Sequence, residues 1–146
     1  MVILKQTKEK TMVKIEIDYE GELRCHSVHI SSGGTLTTDA PLDNQGRGEG
    51  FSPTDLVATA YGTCMATIMG IVAKSRKTSL SGLKLSVTKE MSSDLPRRIA
   101  GLSIEIHMPL AEDHEDSKPL KEAALNCPVR HSIHPEIDVS ITWYWA

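Results

Sequence analysis

The sequence is short of cysteine, has no surplus of positive charge, and lacks the short motifs that mark most cofactor-dependent chemistries. Three cysteines, Cys25, Cys64 and Cys127, in 146 residues are too few for a secreted disulfide scaffold, and an odd number cannot all pair within one chain. Lys plus Arg number 16 against 19 Asp plus Glu, a formal charge of −3, so the chain supplies no field for a polyphosphate and no nucleic-acid partner is expected. No stretch approaches the ~18 consecutive apolar residues of a membrane span. Met1 to Met12 carries Lys and Glu rather than a cleavable apolar segment, so a soluble, cytoplasmic protein with no membrane partner is expected. The absence of C-x-x-C, H-E-x-x-H, G-x-x-x-x-G-K-[ST], G-x-S-x-G and G-x-G-x-x-G removes the sequence basis for zinc clusters, P-loops, nucleophile elbows and dinucleotide sites.

What is present is enough apolar residue, 40% of the chain, for one domain over residues 1–146 that buries roughly two thirds of its unfolded surface. Residues 10–50 read as an amino-terminal sheet and loop. Val13, Ile15, Ile17 and Tyr19 alternate with polar neighbours, Glu20-Gly21-Glu22 interrupts, and Leu23 to Ile30 forms the return strand. Ser31-Ser32-Gly33-Gly34 is a second turn before the strand Thr35 to Thr38. Ala40 to Gly50 has three glycines and no periodicity, and reads as a loop long enough to reach over something.

Residues 52–77 read as a central helix, with Ser52 at the N-cap, Pro53 at the first helical position and Asp55 in the first turn. Leu56, Ala60, Cys64, Ile68 and Val72 recur every four residues and apolar residues fill most other faces, which predicts a helix buried nearly all round. Its roughly 23 residues would span about 35 Å, long for one 16.0 kDa chain, which points to a dimer. Residues 80–146 read as a second sheet with a short helix. Leu83 to Val87 and Leu102 to Met108 form a hairpin, and Ser117 caps a helix carrying Leu120, Ala123, Ala124 and Cys127. Ile137, Val139, Ile141, Trp143 and Trp145 alternate in a last strand. The order β-β-β-α-β-β-α-β predicts an α+β fold with antiparallel sheets.

Two thiols carry candidate chemistry. Cys64 lies mid-helix beside Gly62, whose helix propensity costs about 1 kcal/mol relative to Ala, as if another backbone or a channel to the sulfur needed the room. The plainer account is a small core hydrophobe. Cys127 precedes Pro128 and is followed by Arg130 and His131, a setting of turn N–H groups and positive charge that favours a thiolate. Cys25, in a strand between Arg24 and His26, has less support.

These residues carry a resemblance. G-x-G-F-S-P-T-D-L-V-A-T-A-Y-G-T-C-M-A, with Cys64 eleven residues after Pro53, and A-A-L-N-C-P-V around Cys127 resemble the OsmC/Ohr family of osmotically inducible and organic hydroperoxide resistance proteins. The likeness extends over nearly the whole chain, including the 63 residues between the thiols. It implies an intertwined homodimer with the long helices side by side and two active sites. It also implies a thiol peroxidase: Cys64 attacks the peroxide and becomes a sulfenic acid, Cys127 resolves it as a disulfide, and a thiol or dithiol reductant restores both. No metal or organic cofactor is required. In the family an amino-terminal Arg supports the thiolate, for which Arg24 and Arg47 are the candidates here. The dedicated hydroperoxide enzymes carry Glu directly after the helix-opening Pro, where this chain has Thr54. Glu49 or Asp55 is then the candidate carboxylate, Asp55 having a competing role in the helix's first turn. This departure puts the chain nearer the broad OsmC-like branch.

Two rivals stand beside that reading. In one, a non-catalytic member binds a small apolar ligand or senses redox state. In the other, Cys127, His131 and His134 bind a metal, although such a His pair is commonly a polar turn. Met65, Met69, Met91 and Met108 read as core filling before they read as a peroxide pocket.

Overall fold

A computed structural model describes residues 11–146, so the expectation for Met1 to Met12 falls, except at its last two positions, outside the described residues. The elements follow the predicted order. They are β1 (Ile15–Gly21), β2 (Arg24–His29), β3 (Thr35–Asp39), a 3-10 turn (Leu42–Asn44), α1 (Pro53–Arg76), β4 (Lys84–Met91), β5 (Ile99–His107), α2 (Ser117–Leu125) and β6 (Asp138–Tyr144). They divide into two compact units, Met1–Pro53 and Thr54–Ala146, each with its own three-stranded sheet.

In the first unit β1, β2 and β3 form an antiparallel sheet in chain order. Glu22 and Leu23 both take positive φ, 51° and 64°, the twist that lets a two-residue hairpin return in register despite the lack of glycine at either central position. Ile15, Ile17 and Tyr19, alternate residues of β1, are 57%, 65% and 66% exposed, with nothing among the described residues sealing them. The loop after β3 folds back on its own start: Gly46 and Gly48 donate to the carbonyls of Pro41 and Ala40. Glycine is needed at 46, where a Cβ would lie 1.7 Å from the Ala40 oxygen.

In the second unit β5 is central, antiparallel to β4 and parallel to β6. The parallel pairing corrects the expectation of antiparallel sheets. The chain crosses through α2 and the turn after it, long enough to bring β6 back to the start of β5. Trp143 and Trp145 stack at 5.6 Å on one face of β6, and the Lys121 ammonium of α2 sits 5.7 Å over Trp143.

Helix α1 opens at Pro53 as the Ser-Pro pair predicts, and its 24 residues span about 36 Å. It closes with Lys77 in the left-handed region, Lys77 N–H donating to Lys74 and Thr78 N–H to Ala73, a Schellman ending built without glycine. The helix has the length and mean hydropathy, 1.7, of a membrane span. Its packing marks it as a core helix: Ala58, Tyr61, Met65, Met69 and Ala73 join Leu102, Ile104, Ile106, Leu120 and Ala124 in one buried cluster. Within the single chain the sealed line is 58-61-65-69-73; Leu56, Cys64, Ile68 and Val72 are partly buried, and Ala60, Thr63, Thr67, Gly70 and Ile71 are exposed. Thr63 and Thr67 donate their hydroxyls to carbonyls one turn back, so the exposed face satisfies its own polar groups.

The room left by Gly62 goes to a strand: a Cβ there would meet Val87 Cγ2 at 2.8 Å. Beyond α1, Asp116 rather than Ser117 occupies the N-cap of α2 and makes no side-chain cap, which corrects the cap assigned to Ser117. The nearly buried Asp116 carboxylate instead accepts from Arg76 Nε and Thr78 Oγ1, while Ser117 Oγ donates to the Ala111 carbonyl at 2.7 Å. The Thr78 and Arg76 hydrogen bonds hold Asp116 below the ordinary carboxylate range.

Two stability predictions result. Gly62→Ala gains helix propensity yet overpacks Val87, for a net loss of about 1 kcal/mol in urea unfolding, recovered when combined with Val87→Ala. Because the Asp116 pKa is lowered on folding, its contribution is present above the unfolded carboxylate value of about 3.9 and is lost as pH falls through the lowered value. Asp116→Asn is therefore expected to lower Tm at pH 7 and to flatten the acid limb of a Tm-versus-pH curve.

Candidate functional site

The thiols converge from two elements of the second unit. Cys64 lies on the flank of the sealed line of α1 and is partly buried, whereas Cys127 lies two residues beyond α2 and is fully buried. Both are free thiols, and they lie close enough for Cys64 to raise the Cys127 pKa. Cys127 is placed by the end of α2: Asn126 N–H closes on Ala123, Cys127 N–H reaches Ala124, and the turn opening at Pro128 directs the N–H groups of Val129 and Arg130 at the sulfur. That N–H setting agrees with the Pro128 reading, but its predicted effect on the thiol does not hold. Burial pushes the Cys127 thiol up, outweighing the Arg130 N–H, and the hydrogen bond with Cys64 raises it further. Cys127 therefore keeps its proton near neutrality.

A second polar cluster lies in the first unit. Arg24 follows the β1–β2 turn and is paired in register with Asp39 of β3. Its Nη2 donates to Glu49 Oε2 at 2.5 Å, and its Nε lies 3.7 Å from Asp39 Oδ1, with no other partner for either of those two atoms among the described residues. Asp39 Oδ2 accepts the Glu49 N–H at 3.0 Å, so one buried carboxylate fixes the loop that carries the other. Of the two candidate arginines, Arg24 is thus held by two carboxylates, and Arg47 pairs only with the exposed Glu22. Asp55 is engaged by Lys89, which also reaches Thr54. Asp39 was missed by sequence reasoning; Asp at the end of a strand opposite an Arg was the available signal. Cys25 is partly buried in β2, paired with Tyr19 and Thr38.

The remaining candidates separate from the thiols. Among the described residues no group of three or more His, Cys, Asp or Glu lies together to hold a metal ion, and His131 and His134 are exposed on the turn. Met65, Met69 and Met108 are core residues, and Met91 is partly buried at the end of β4. One neighbour of Cys127 was not anticipated: Tyr61, fully buried, whose phenol is pushed up by burial and acted on by Arg130 and Cys127. A mostly apolar cavity of about 1040 Å³ lies in the same unit, walled by Val57, Leu95, Ile99, Ile133 and Ile137.

Comparison with known proteins bears on this arrangement. Residues 46–142 match the family described as OsmC-like protein. Comparison with curated proteins gave no match. A protein from Psychrobacter arcticus named for osmotic stress induction and a detoxification response is 41% identical, with a TM-score of 0.84, over 92% of this chain and 98% of that one. The organic hydroperoxide resistance protein OsmC of Legionella pneumophila is 18% identical with a TM-score of 0.73, over 92% of this chain and 97% of that one. OhrB of Bacillus subtilis, an organic hydroperoxide resistance protein, is 19% identical with a TM-score of 0.66, over 91% and 98%. With two thirds of its length matched by the family and a relative at this identity over nearly the whole chain, the protein belongs to the OsmC-like family.

Proposed function

We propose that the protein is a cysteine-based thiol peroxidase that reduces hydrogen peroxide or organic hydroperoxides. The observation that carries this reading is the nearness of Cys64 and Cys127, two free thiols brought from separate elements close enough for one to raise the pKa of the other. The Cys64 thiolate attacks the peroxide; the O–O bond breaks, an alcohol or water leaves with a proton, and Cys64 becomes a sulfenic acid. The Cys127 thiol then displaces water from that sulfur and forms the disulfide before further oxidation. Two equivalents of a thiol, or one dithiol, return both cysteines to the reduced state. No cofactor enters any step.

The names of the relatives from Legionella and Bacillus, both organic hydroperoxide resistance proteins, support the peroxide as substrate. A dependence on free thiols favours a reducing compartment, the cytoplasm. Arg24 is our proposed cation for the Cys64 thiolate, with Glu49 and Asp39 orienting it in place of the family Glu that Thr54 replaces. Homodimer formation is supported by the uncovered apolar residues of β1 and by the self-satisfied, small-residue face of α1. A second reading, binding of a small apolar ligand without turnover, is favoured by the 1040 Å³ cavity, which in the peroxidase would take the organic tail of a hydroperoxide.

The deciding experiment is thiol trapping with mass spectrometry after one equivalent of cumene hydroperoxide. Wild type is expected to form a Cys64–Cys127 disulfide, and Cys127→Ser to accumulate sulfenic or over-oxidised Cys64; thiols that oxidise no faster than in unfolded protein would leave the ligand-binding reading. Arg24→Gln is expected to slow the oxidation of Cys64 by about tenfold, with Arg47→Gln within twofold of wild type in the same stopped-flow assay.

A further inference from the structure

Beside Cys127 lies a second, smaller pocket of about 280 Å³ whose lining is mostly polar and includes Tyr61, Arg130, His134 and Ile137. Tyr61 is completely buried in α1, and its hydroxyl meets no group in full hydrogen-bond geometry among the described residues, although the Arg130 guanidinium lies near enough to lower its pKa against the rise from burial. A phenylalanine would fill the same space without burying a polar atom, so a buried hydroxyl on a cavity wall, with Arg130 near it and its own hydrogen bond incomplete, marks a place where a ligand oxygen completes the bond. Arg130 contributes the only charged side chain of the lining, on an exposed part of the turn. His134 Nδ1 accepts the Glu136 N–H at 3.2 Å, which leaves Nε2 to carry the proton as a donor. Phenol, guanidinium and imidazole are thus three donors around one space, and none of the lining residues is acidic. A small oxyanion, with its several acceptor lone pairs, is the matching ligand.

The position of the pocket narrows the choice. Arg130 lies three residues after Cys127, and its backbone N–H donates to the Cys127 sulfur while its side chain lines the pocket. An anion bound there is tied by one residue to the thiol that ends each oxidation as half of a disulfide. Resting on the thiol peroxidase reading, we propose that the Tyr61–Arg130–His134 pocket binds the carboxylate of a small thiol that reduces the Cys64–Cys127 disulfide. The first reductant thiolate attacks one disulfide sulfur, forming a mixed disulfide and releasing the other cysteine as a thiolate. A second reductant thiolate attacks the mixed disulfide at the reductant sulfur, giving the oxidised reductant and the second cysteine thiolate. Two electrons pass to the cysteines, and the two protons of the reductant thiols end on them.

The test compares 3-mercaptopropionate with the neutral 2-mercaptoethanol, as a ratio of rates per thiolate, on protein oxidised with diamide so that no peroxide step is involved. The ratio is expected to fall about tenfold in Arg130→Gln and several-fold in the isosteric Tyr61→Phe, and propionate is expected to inhibit the carboxylate thiol alone. A ratio unchanged in both variants, or inhibition of both thiols alike by propionate, overturns the proposal. So does inhibition by sulfate with an unchanged ratio, which would make the pocket a general anion site. Failure of diamide to form the disulfide overturns it as well, whereas a disulfide formed by diamide and not by peroxide would sink the peroxidase reading and leave this assignment to be judged by the ratio.

Discussion

The packing of one face of α1 against β5 and α2 is the constraint on which the second unit depends. Tyr61, Met65 and Met69 are sealed against Leu102, Ile104, Ile106 and Leu120, and each fully buried large side chain contributes roughly 1.5–3 kcal/mol. That contact sets the rotation of α1 about its axis. Once the line 58-61-65-69-73 is inside, Cys64 must fall at its edge, partly buried, and Gly62 must face Val87. The thiol acquires its position from a hydrophobic seam that has nothing to do with sulfur chemistry.

The partner thiol is fixed by a different device. Cys127 is carried to Cys64 by the end of α2, whose start is held to the end of α1 through Asp116, Arg76 and Thr78. A buried carboxylate satisfied by a guanidinium and a hydroxyl is costly to break, because either half left alone would be an unpaired polar group. Both ends of α2 therefore refer back to α1, one through charge and one through sulfur. Burial keeps Cys127 protonated while the backbone N–H groups beyond Pro128 pull the other way, an opposition resolved in favour of the thiol. A resolving group needs proximity more than acidity, so this balance suits the proposed role.

The cluster in the first unit holds its arginine by residues of that unit alone. Arg24 has its carboxylates from β3 and from the glycine-rich loop, because Gly46 and Gly48 let that loop fold back and Asp39 grips Glu49 through its N–H.

Periodicity, turn residues and the Ser-Pro helix start were legible in the chain itself: the element order, the limits of α1 and a turn near Glu22 all depend on local sequence. Arg24 and Glu49 were named as candidates by residue type; their ion pair appears only in the fold. What only the tertiary structure decided are the matters set by partners distant in the chain. Which helical line is buried could not be read from α1, since apolar residues occur nearly all round it and only the opposing sheet selects among them. The parallel direction of β6 depends on the path of the crossover. The direction of the Cys127 shift required knowing that burial outweighs its N–H neighbours, and Tyr61 and Arg130, far apart in the chain, meet at one pocket only in the folded chain. Sequence determines what each segment prefers; burial and long-range pairing, which are properties of the assembled chain, determine which of those preferences carries the chemistry.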